Sequence, residues 1–318
     1  MFWAFCTLCS RHAYADEATD PRAPDENNLR PRAQPRPAIK LAITVDDLPG
    51  GGPEVHGYTH VQMVKDIVSV LRAHRVPQAG GFIVGGMIET DPARNEALDV
   101  WVQAGFLVGN HSYSHDHIAE IGLANFSNDV TKNRTVIDPL EARTQQVRSY
   151  FRFPYLEEGN TREERHALWQ LLERERYTLV RPSIAFSDTD WVEAYLRCQE
   201  QHDESSLLAL DHSYLAQAQA HLHWSLAAAN AALGRAIPHI LLLHVNVPTA
   251  ANLDKLLRAY EAEGVQFISV EDALREPAYV VFYDTPGGDL LSQASTTLNR
   301  PTPPKPPALD TLIDRIYG

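Results

Sequence analysis

An α/β fold built on a parallel sheet is what this sequence predicts, and three observations predict it. Short runs of apolar and β-branched residues alternate with amphipathic stretches at helical spacing from residue 41 to residue 270. Five of those runs end in polar, chemistry-bearing residues, as strands do at the ligand-binding edge of open α/β sheets and barrels. The chain has 318 residues, 44% hydrophobic and 22% charged, an ordinary globular composition with length enough for a sizeable core.

The first run, 41–45, reads as a buried strand that stops at Asp46 and Asp47 and is followed by Leu48-Pro49-Gly50-Gly51-Gly52. Successive residues of an extended segment point in opposite directions, so the two acids are expected to have different jobs. Residues 60–75 carry Val61, Val64, Ile67, Val68 and Leu71 at helical spacing, with Lys65, Asp66 and Arg72 between them, which predicts an amphipathic helix covering the sheet. A second strand is expected at 81–85; its glycines are not a phosphate loop, because no Gly-Lys-Ser/Thr follows. A helix over 93–104 ends at Gly105, and a third strand, 106–109, runs into Asn110 and His111. The polar region 116–148 holds another helix, with Phe126, Val130 and Val136 as its buried positions. A fourth strand is read at 150–153, a helix at 162–176 and a strand at 177–180, followed by 183–186 leading to Ser187-Asp188-Thr189-Asp190-Trp191. Residues 192–236 are alanine-rich and helical in pattern, closed by Gly234 and Pro238. A strand at 239–244, a helix at 251–263 and a last strand at 266–270 complete the alternation.

The ends differ in character. Residues 1–15 read as the end of a secretory signal, an apolar stretch followed by Ala13-x-Ala15, or else as an unstructured terminus with accidental alanines. Residues 16–39, rich in Pro, Asp, Asn and Arg, read as a disordered lead-in. The main domain is expected over 40–277, and 278–318 as a C-terminal extension with a proline-rich linker at 299–307 and a short terminal helix at 309–317.

A formal net charge of −13 argues against nucleic acid and anionic membranes as partners, since both demand a basic face. No window of eighteen uninterrupted apolar residues is present, so no transmembrane segment is expected. The three cysteines, Cys6, Cys9 and Cys198, form neither a disulfide framework nor a thiolate zinc motif. Nothing in the sequence sets an oligomeric state.

The chemistry is concentrated at strand ends. His111-Ser112-Tyr113-Ser114-His115 places two imidazoles four apart, the spacing with which one helical turn presents two ligands to a metal. Two histidines plus one carboxylate leave positions open for water and substrate, and Asp47 is the natural third ligand. His117 is expected on another face. Arg152-Phe153-Pro154-Tyr155 ends a strand with an arginine able to orient a carboxylate, or merely exposed beside a proline turn. Asp188-Thr189-Asp190-Trp191 is a capping turn or an acid with an aromatic wall. Leu241-Leu242-Leu243-His244 delivers one histidine at the end of an apolar strand, with Leu242 on the same side, as a proton donor beside a greasy patch or as a satisfied core histidine.

In order, Thr44-Val45-Asp46-Asp47, His111 to His115, Arg152 to Tyr155, Asp190-Trp191 and Leu241 to His244 resemble the five motifs of the polysaccharide deacetylase (NodB homology) family, carbohydrate esterase family 4, over roughly residues 40 to 275. The resemblance implies a distorted (β/α) barrel of about seven parallel strands. It implies Asp47, His111 and His115 as ligands of a divalent metal, commonly Zn2+, and Asp46 as general base held by Arg152, with Asp190 pairing with Arg152 in turn. It implies His244 as general acid, a Tyr155 backbone N–H for the oxyanion, and Leu242 and Trp191 as walls of an acetyl pocket. The sequence departs from the family pattern twice. Leu48-Pro49-Gly50-Gly51-Gly52 stands where Gly-Pro usually follows the second Asp. Asp188 and Asp190 are two apart rather than three, which leaves a role for Asp188 open. The expected function is removal of acetyl groups from a glycan partner such as chitin oligomers or peptidoglycan. Hydrolysis of another C–N amide or of an O-acetyl ester is the alternative, and a non-catalytic carbohydrate-binding module is disfavoured because base and acid positions are both filled.

Overall fold

The computed structural model describes residues 38–307, except 56 and 282. The signal segment 1–15, all of the lead-in but its last two residues, and the terminal helix at 309–317 therefore lie outside the described residues. The described residues, from 38 onward, belong to one compact unit.

The centre of the sheet is β1 (Ile39–Leu48), apolar enough to be buried on both faces from Leu41 to Val45. Then come α1 (His60–Ala73), β2 (Gly80–Ile83), α2 (Gly86–Thr90), α3 (Asn95–Gln103) and β3 (Leu107–Asn110). They are followed by α4 (Ile118–Glu141), β4 (Ser149–Phe151), α5 (Arg162–Glu175) and β5 (Tyr177–Leu179). The last part is α6 (Val192–Glu200), α7 (Glu204–Leu233), β6 (His239–His244), α8 (Val247–Ala262), β7 (Val265–Phe267), α9 (Val270–Ala273) and α10 (Leu290–Leu298). The seven strands run parallel in the order β5-β4-β3-β2-β1-β6, with β7 pairing the first residues of β1, Ile39 against Val265. Beyond β5 the chain crosses to the opposite edge. The Val180 N–H still donates to Phe151 O at 2.8 Å, whereas Ser183 and Ile184 N–H both donate to Ile240 O, and Leu242 N–H donates back to Ile184 O at 2.9 Å. One segment thus bridges β4 and β6 and closes the sheet into a distorted barrel.

Helix boundaries follow local chemistry. Thr59 caps α1, its hydroxyl accepting from Gln62 N–H, and Met63, Val64, Ile67, Val68 and Leu71 make the buried stripe against the sheet. Thr161 and Glu164 close a reciprocal capping box on α5. In α4 the buried position is Ile137 rather than Val136, which is half-buried. Gly122 has a non-helical conformation within α4, and this shifts the face that the helix presents. The alanine-rich stretch is two helices, α6 and α7, and the small side chains of Ala218, Ala228, Ala229 and Ala232 let α7 sit close on its neighbours.

The expected domain end at 277 is corrected by the packing. Tyr279, Tyr283, Leu290, Leu291 and Ala294 are buried in the same cluster as Trp224, Ala228 and Ile240. A buried ion pair, Arg181 to Glu158 at 2.6 and 2.7 Å, also takes Gln293 Nε2 on Glu158 Oε1 at 2.8 Å. Trp224 Nε1 donates to Pro303 O at 2.9 Å, so even the proline-rich stretch lies on the domain. A proline-rich tail reads as a linker in sequence because its anchoring residues, Tyr279 and Leu290 among them, are too sparse to show a period. A protein ending at residue 277 is expected to lose about 5 kcal/mol or more, since each large apolar side chain uncovered is worth roughly 1.5–3 kcal/mol. A urea midpoint equal to that of the full chain would show that residues 278–307 are an appendage.

Candidate active site

Four strand ends and the turn before α6 meet at one cavity of about 360 Å³, lined among others by Asp46, Asp47, His111, His115, Tyr155, Asp188, Leu242 and His244. The two acids of β1 do not diverge as the alternation of a strand predicts. The ladder shifts register between Val45 and Leu48, and Asp47 has the left-handed φ of +60°, which turns its carboxylate back to the side of Asp46. Both therefore line the same cavity.

His111 continues the line of β3, its N–H donating to Ile83 O at 3.1 Å. The expected helical turn between the two histidines is absent. Residues 111–117 are an irregular loop with left-handed Ser112 and His115, and that bend brings the two rings to a centroid distance of 5.0 Å. Side chains from α4 hold this loop. Asp129 accepts from the N–H groups of Tyr113 and Ser114, and the buried amides of Asn110 and Asn133 tie Ser112 N–H, Ile83 O and Gly85 N–H together. Asn110 stood out only as the residue before His111, and Asp129 and Asn133, polar residues within the polar region 116–148, had no signal in the sequence.

The donors of Asp47, His111 and His115 lie within 4.8 Å of one another. His111 Nδ1 donates to the Arg152 carbonyl at 2.8 Å, which fixes the tautomer and leaves the Nε2 lone pair on the cluster side. Burial first, and the neighbouring His115 second, hold His111 down at about 3, so the ring is neutral as a ligand must be. Asp47 Oδ1 is buried and accepts no hydrogen bond, although imidazole nitrogens stand 3.2 and 3.7 Å away. An orphaned carboxylate oxygen facing two imidazole rings suits a divalent cation such as Zn2+. These three residues would hold it.

Arg152, the first residue after β4, is buried and gives Nη1 to Asp46 Oδ1 at 2.7 Å and to Thr44 Oγ1 at 2.8 Å, and Nε to Val180 O at 2.9 Å. Burial raises the Asp46 carboxyl above its ordinary value even against the pull of Arg152 and His244. Opposite Asp46 in register stands His244. Its Nδ1 is 2.7 Å from Asp188 Oδ1, and its backbone N–H, Asn246 Nδ2 and Thr249 Oγ1 all donate to Asp188 Oδ2. With Nδ1 so occupied, Nε2 is the ring nitrogen left for the cavity.

Here the acid expected at the fourth motif is corrected. Asp188 is the buried carboxylate of the site, whereas Asp190 is exposed on the 3-10 turn and is not among the groups that perturb Arg152. Trp191 does not wall the cavity: it is wholly buried in the core against Phe186 and Tyr214, its Nε1 donating to Ser213 Oγ. The 3-10 turn is the reason, because it sends Asp188 inward and Trp191 toward α7. Leu242 does line the cavity, together with Ala185, Phe153 and Leu156, to which the sequence assigned no part in it. Tyr155 stands at the rim, half exposed, its ring stacked on His117 at 3.7 Å, and His117 is held by Glu157 rather than free in solvent. Tyr155 is second in a 3-10 turn, where a backbone N–H has no partner inside the turn.

Burial opposes the charged imidazolium of His244, but Asp188, by charge and by hydrogen bond, together with Asp47 and Asp46, outweighs it and raises the ring to about 10. A raised histidine stabilises the fold fully below its ordinary value of 6.5 and loses that contribution as pH climbs through about 10. Asp188→Asn is therefore expected to flatten the fall in stability between pH 7 and pH 10. Unfolding midpoints measured across that range check it, and parallel curves for the two proteins would remove the ion pair from the account.

Residues 33–183 match the family model described as polysaccharide deacetylase, so Asp188 and His244 lie beyond the matched stretch. Among solved structures, a family 4 carbohydrate esterase from Streptomyces lividans in complex with acetate is 18% identical, covers 74% of this chain and 95% of that chain, and superposes with a TM-score of 0.47. The peptidoglycan deacetylase PdaC from Bacillus subtilis is 16% identical over 76% and 93% of the two chains, with a TM-score of 0.46. BA3943 from Bacillus anthracis, a CE4 family pseudoenzyme, is 19% identical over 74% and 66%, with a TM-score of 0.48. No curated protein matches this chain.

Proposed function

We propose, from the premise that this chain belongs to the polysaccharide deacetylase family through residues 33–183, that it is a metal-dependent hydrolase removing acetyl groups from a glycan, N-acetyl groups first among them. The observation that carries this reading is one cavity that a two-His, one-Asp donor set shares with Asp46, which Arg152 holds, and with a His244–Asp188 pair. A carbohydrate-binding module has no use for either pair.

A divalent ion on Asp47, His111 and His115 supplies Lewis acidity, lowering the pKa of water and polarising an acyl oxygen. The chain's own groups then divide the work. Asp46, oriented through Oδ1 by Arg152, is placed to take a proton from the attacking water. Its raised pKa brings it nearer the operating pH, where a base is most effective. Asp188 accepts from Nδ1 and favours the charged ring, so His244 carries its second proton on Nε2, where it is placed to protonate the departing nitrogen. The backbone N–H of Tyr155 is available to the developing oxyanion. Leu242 and Ala185 offer the small apolar wall that an acetyl methyl group fits.

Turnover of an acetylated chito-oligosaccharide, abolished by a chelator and restored by Zn2+, is the expected result. Full activity after chelation would remove the metal from the reading. His111→Ala protein is expected to lose nearly all bound metal, and a full equivalent retained would dismiss the donor set.

The bond cleaved has its own test. An amide nitrogen must be protonated as it leaves, whereas the leaving group of an activated acetate ester needs no proton. His244→Ala is expected to depress deacetylation of N-acetylglucosamine oligomers more steeply than hydrolysis of the ester. An equal fall in both would mean that His244 acts through charge or structure, and would remove this reason for preferring N-acetyl groups. A polymeric glycan substrate and Ala13-x-Ala15 support the reading that the mature enzyme is exported, and an intact N-terminus on protein recovered from the native cytoplasm would contradict this.

A further inference from the structure

The loop after Asp47, where the sequence leaves the family's Gly-Pro pattern, is fastened at its far end by α1. His60, the first residue of α1, is 1% exposed. Its backbone N–H donates to Glu54 Oε1 at 2.9 Å, its Nδ1 lies 2.9 Å from the same oxygen, and its Nε2 lies 3.0 Å from the Gly52 carbonyl. Arg94 Nη1 donates to the Gly50 carbonyl at 2.9 Å. The two glycines transmit this fastening. Gly50 lies flush on the His60 ring, which a Cβ there would overlap, and Gly51 lies against Asp47, where a Cβ would stand 3.1 Å from Oδ2 and 3.2 Å from the aspartate Cβ. Asp47 itself has a left-handed backbone, which a residue with a side chain keeps only when its surroundings over-determine it.

We infer that His60 and Glu54 are positioning residues for Asp47: the bracket they make of residues 50–54 holds Asp47 Oδ1 toward His111 and His115, so metal affinity depends on a histidine and a glutamate outside the donor set. The inference rests on the metal reading above. Glu54 is the better probe, because its side chain is 41% exposed and does not line the cavity, so its loss leaves the core intact.

The experiment is calorimetric titration of Zn2+ into metal-free wild type, Glu54→Ala, Glu54→Gln and His60→Ala, with the visible spectrum of the Co2+ forms and urea unfolding of each. Glu54→Ala and His60→Ala are expected to weaken Zn2+ by about 10-fold or more, the range found when the supports of metal ligands are removed, and to alter the Co2+ spectrum. Glu54→Gln, which keeps an acceptor oxygen for the His60 N–H, is expected to recover most of the affinity. A bracket that serves only folding would shift the urea midpoint and leave Kd and spectrum alone. Wild-type Kd and spectrum in both alanine variants overturn the inference while the metal reading stands. A wild type that binds no Zn2+ overturns both.

Discussion

Asp46→Asn is expected to cut deacetylation by about 10²-fold or more, the usual range for a general base, and His244→Ala by a similar factor, each with the fold and the metal content kept. Neither residue belongs to the three-donor cluster, so neither substitution removes a ligand. Asparagine keeps the oxygen that accepts from Arg152 but takes no proton, which makes Asp46→Asn a test of chemistry rather than of packing. His244 sits at the end of β6 with its ring partly exposed to the cavity, so alanine there uncovers little core. Turnover and metal content measured on the same preparations decide it. Either variant at full activity takes its residue out of the mechanism.

Arg152→Leu is expected to be the most damaging single substitution for the fold, at about 3–5 kcal/mol, the range for removing one partner of a buried ion pair. Asp46 would be left as a buried carboxylate without its cation, Thr44 Oγ1 would keep only its bond to Leu241 O, and Val180 O would lose a donor. Burial presses on the pair from both sides, raising Asp46 and lowering Arg152, and the attraction between them opposes the neutralisation of either. Sign and pH window follow from the aspartate. With Arg152 gone its pKa rises further above the unfolded value of 3.8, and the variant loses stability as pH rises through and above that value. Urea denaturation of wild type and Arg152→Leu at pH 5 and pH 8 is expected to show the larger gap at pH 8. A loss below about 1 kcal/mol at both, the worth of a surface pair, would mean that water reaches Asp46 and that the pair is not desolvated.

The order of elements was legible because its signals are local. An apolar run such as 239–244, too short for a helix and ending in one polar residue, can only be a buried strand, and the structure has β6 over those residues. The stripe of Val64, Ile67, Val68 and Leu71 prescribes one face of α1. Strand ends in a parallel sheet share an edge, so Asp46, His111, Arg152 and His244 could be assigned to one rim without knowing any distance. Helix starts were less legible: α8 begins at Val247, earlier than its apolar period suggests, because Asn246 caps it and Pro248 fits a first turn.

By itself, then, the sequence determined the alternation of strands and helices, the strand ends that meet at one edge, and the residue types available there, since propensity and period act over a few residues. Tertiary structure decided what side each of them faces. The shifted ladder and left-handed backbone of Asp47 set two successive acids on one cavity, and left-handed Ser112 and His115 did by a loop what a helical turn was expected to do. A 3-10 turn gave the site Asp188 and sent Trp191 into the core. Residues 278–307 joined the domain through contacts with α7 and Glu158, more than forty residues away along the chain. Each of these outcomes depends on backbone angles or on partners distant in sequence, and a side chain's direction is fixed only when those partners have closed around it.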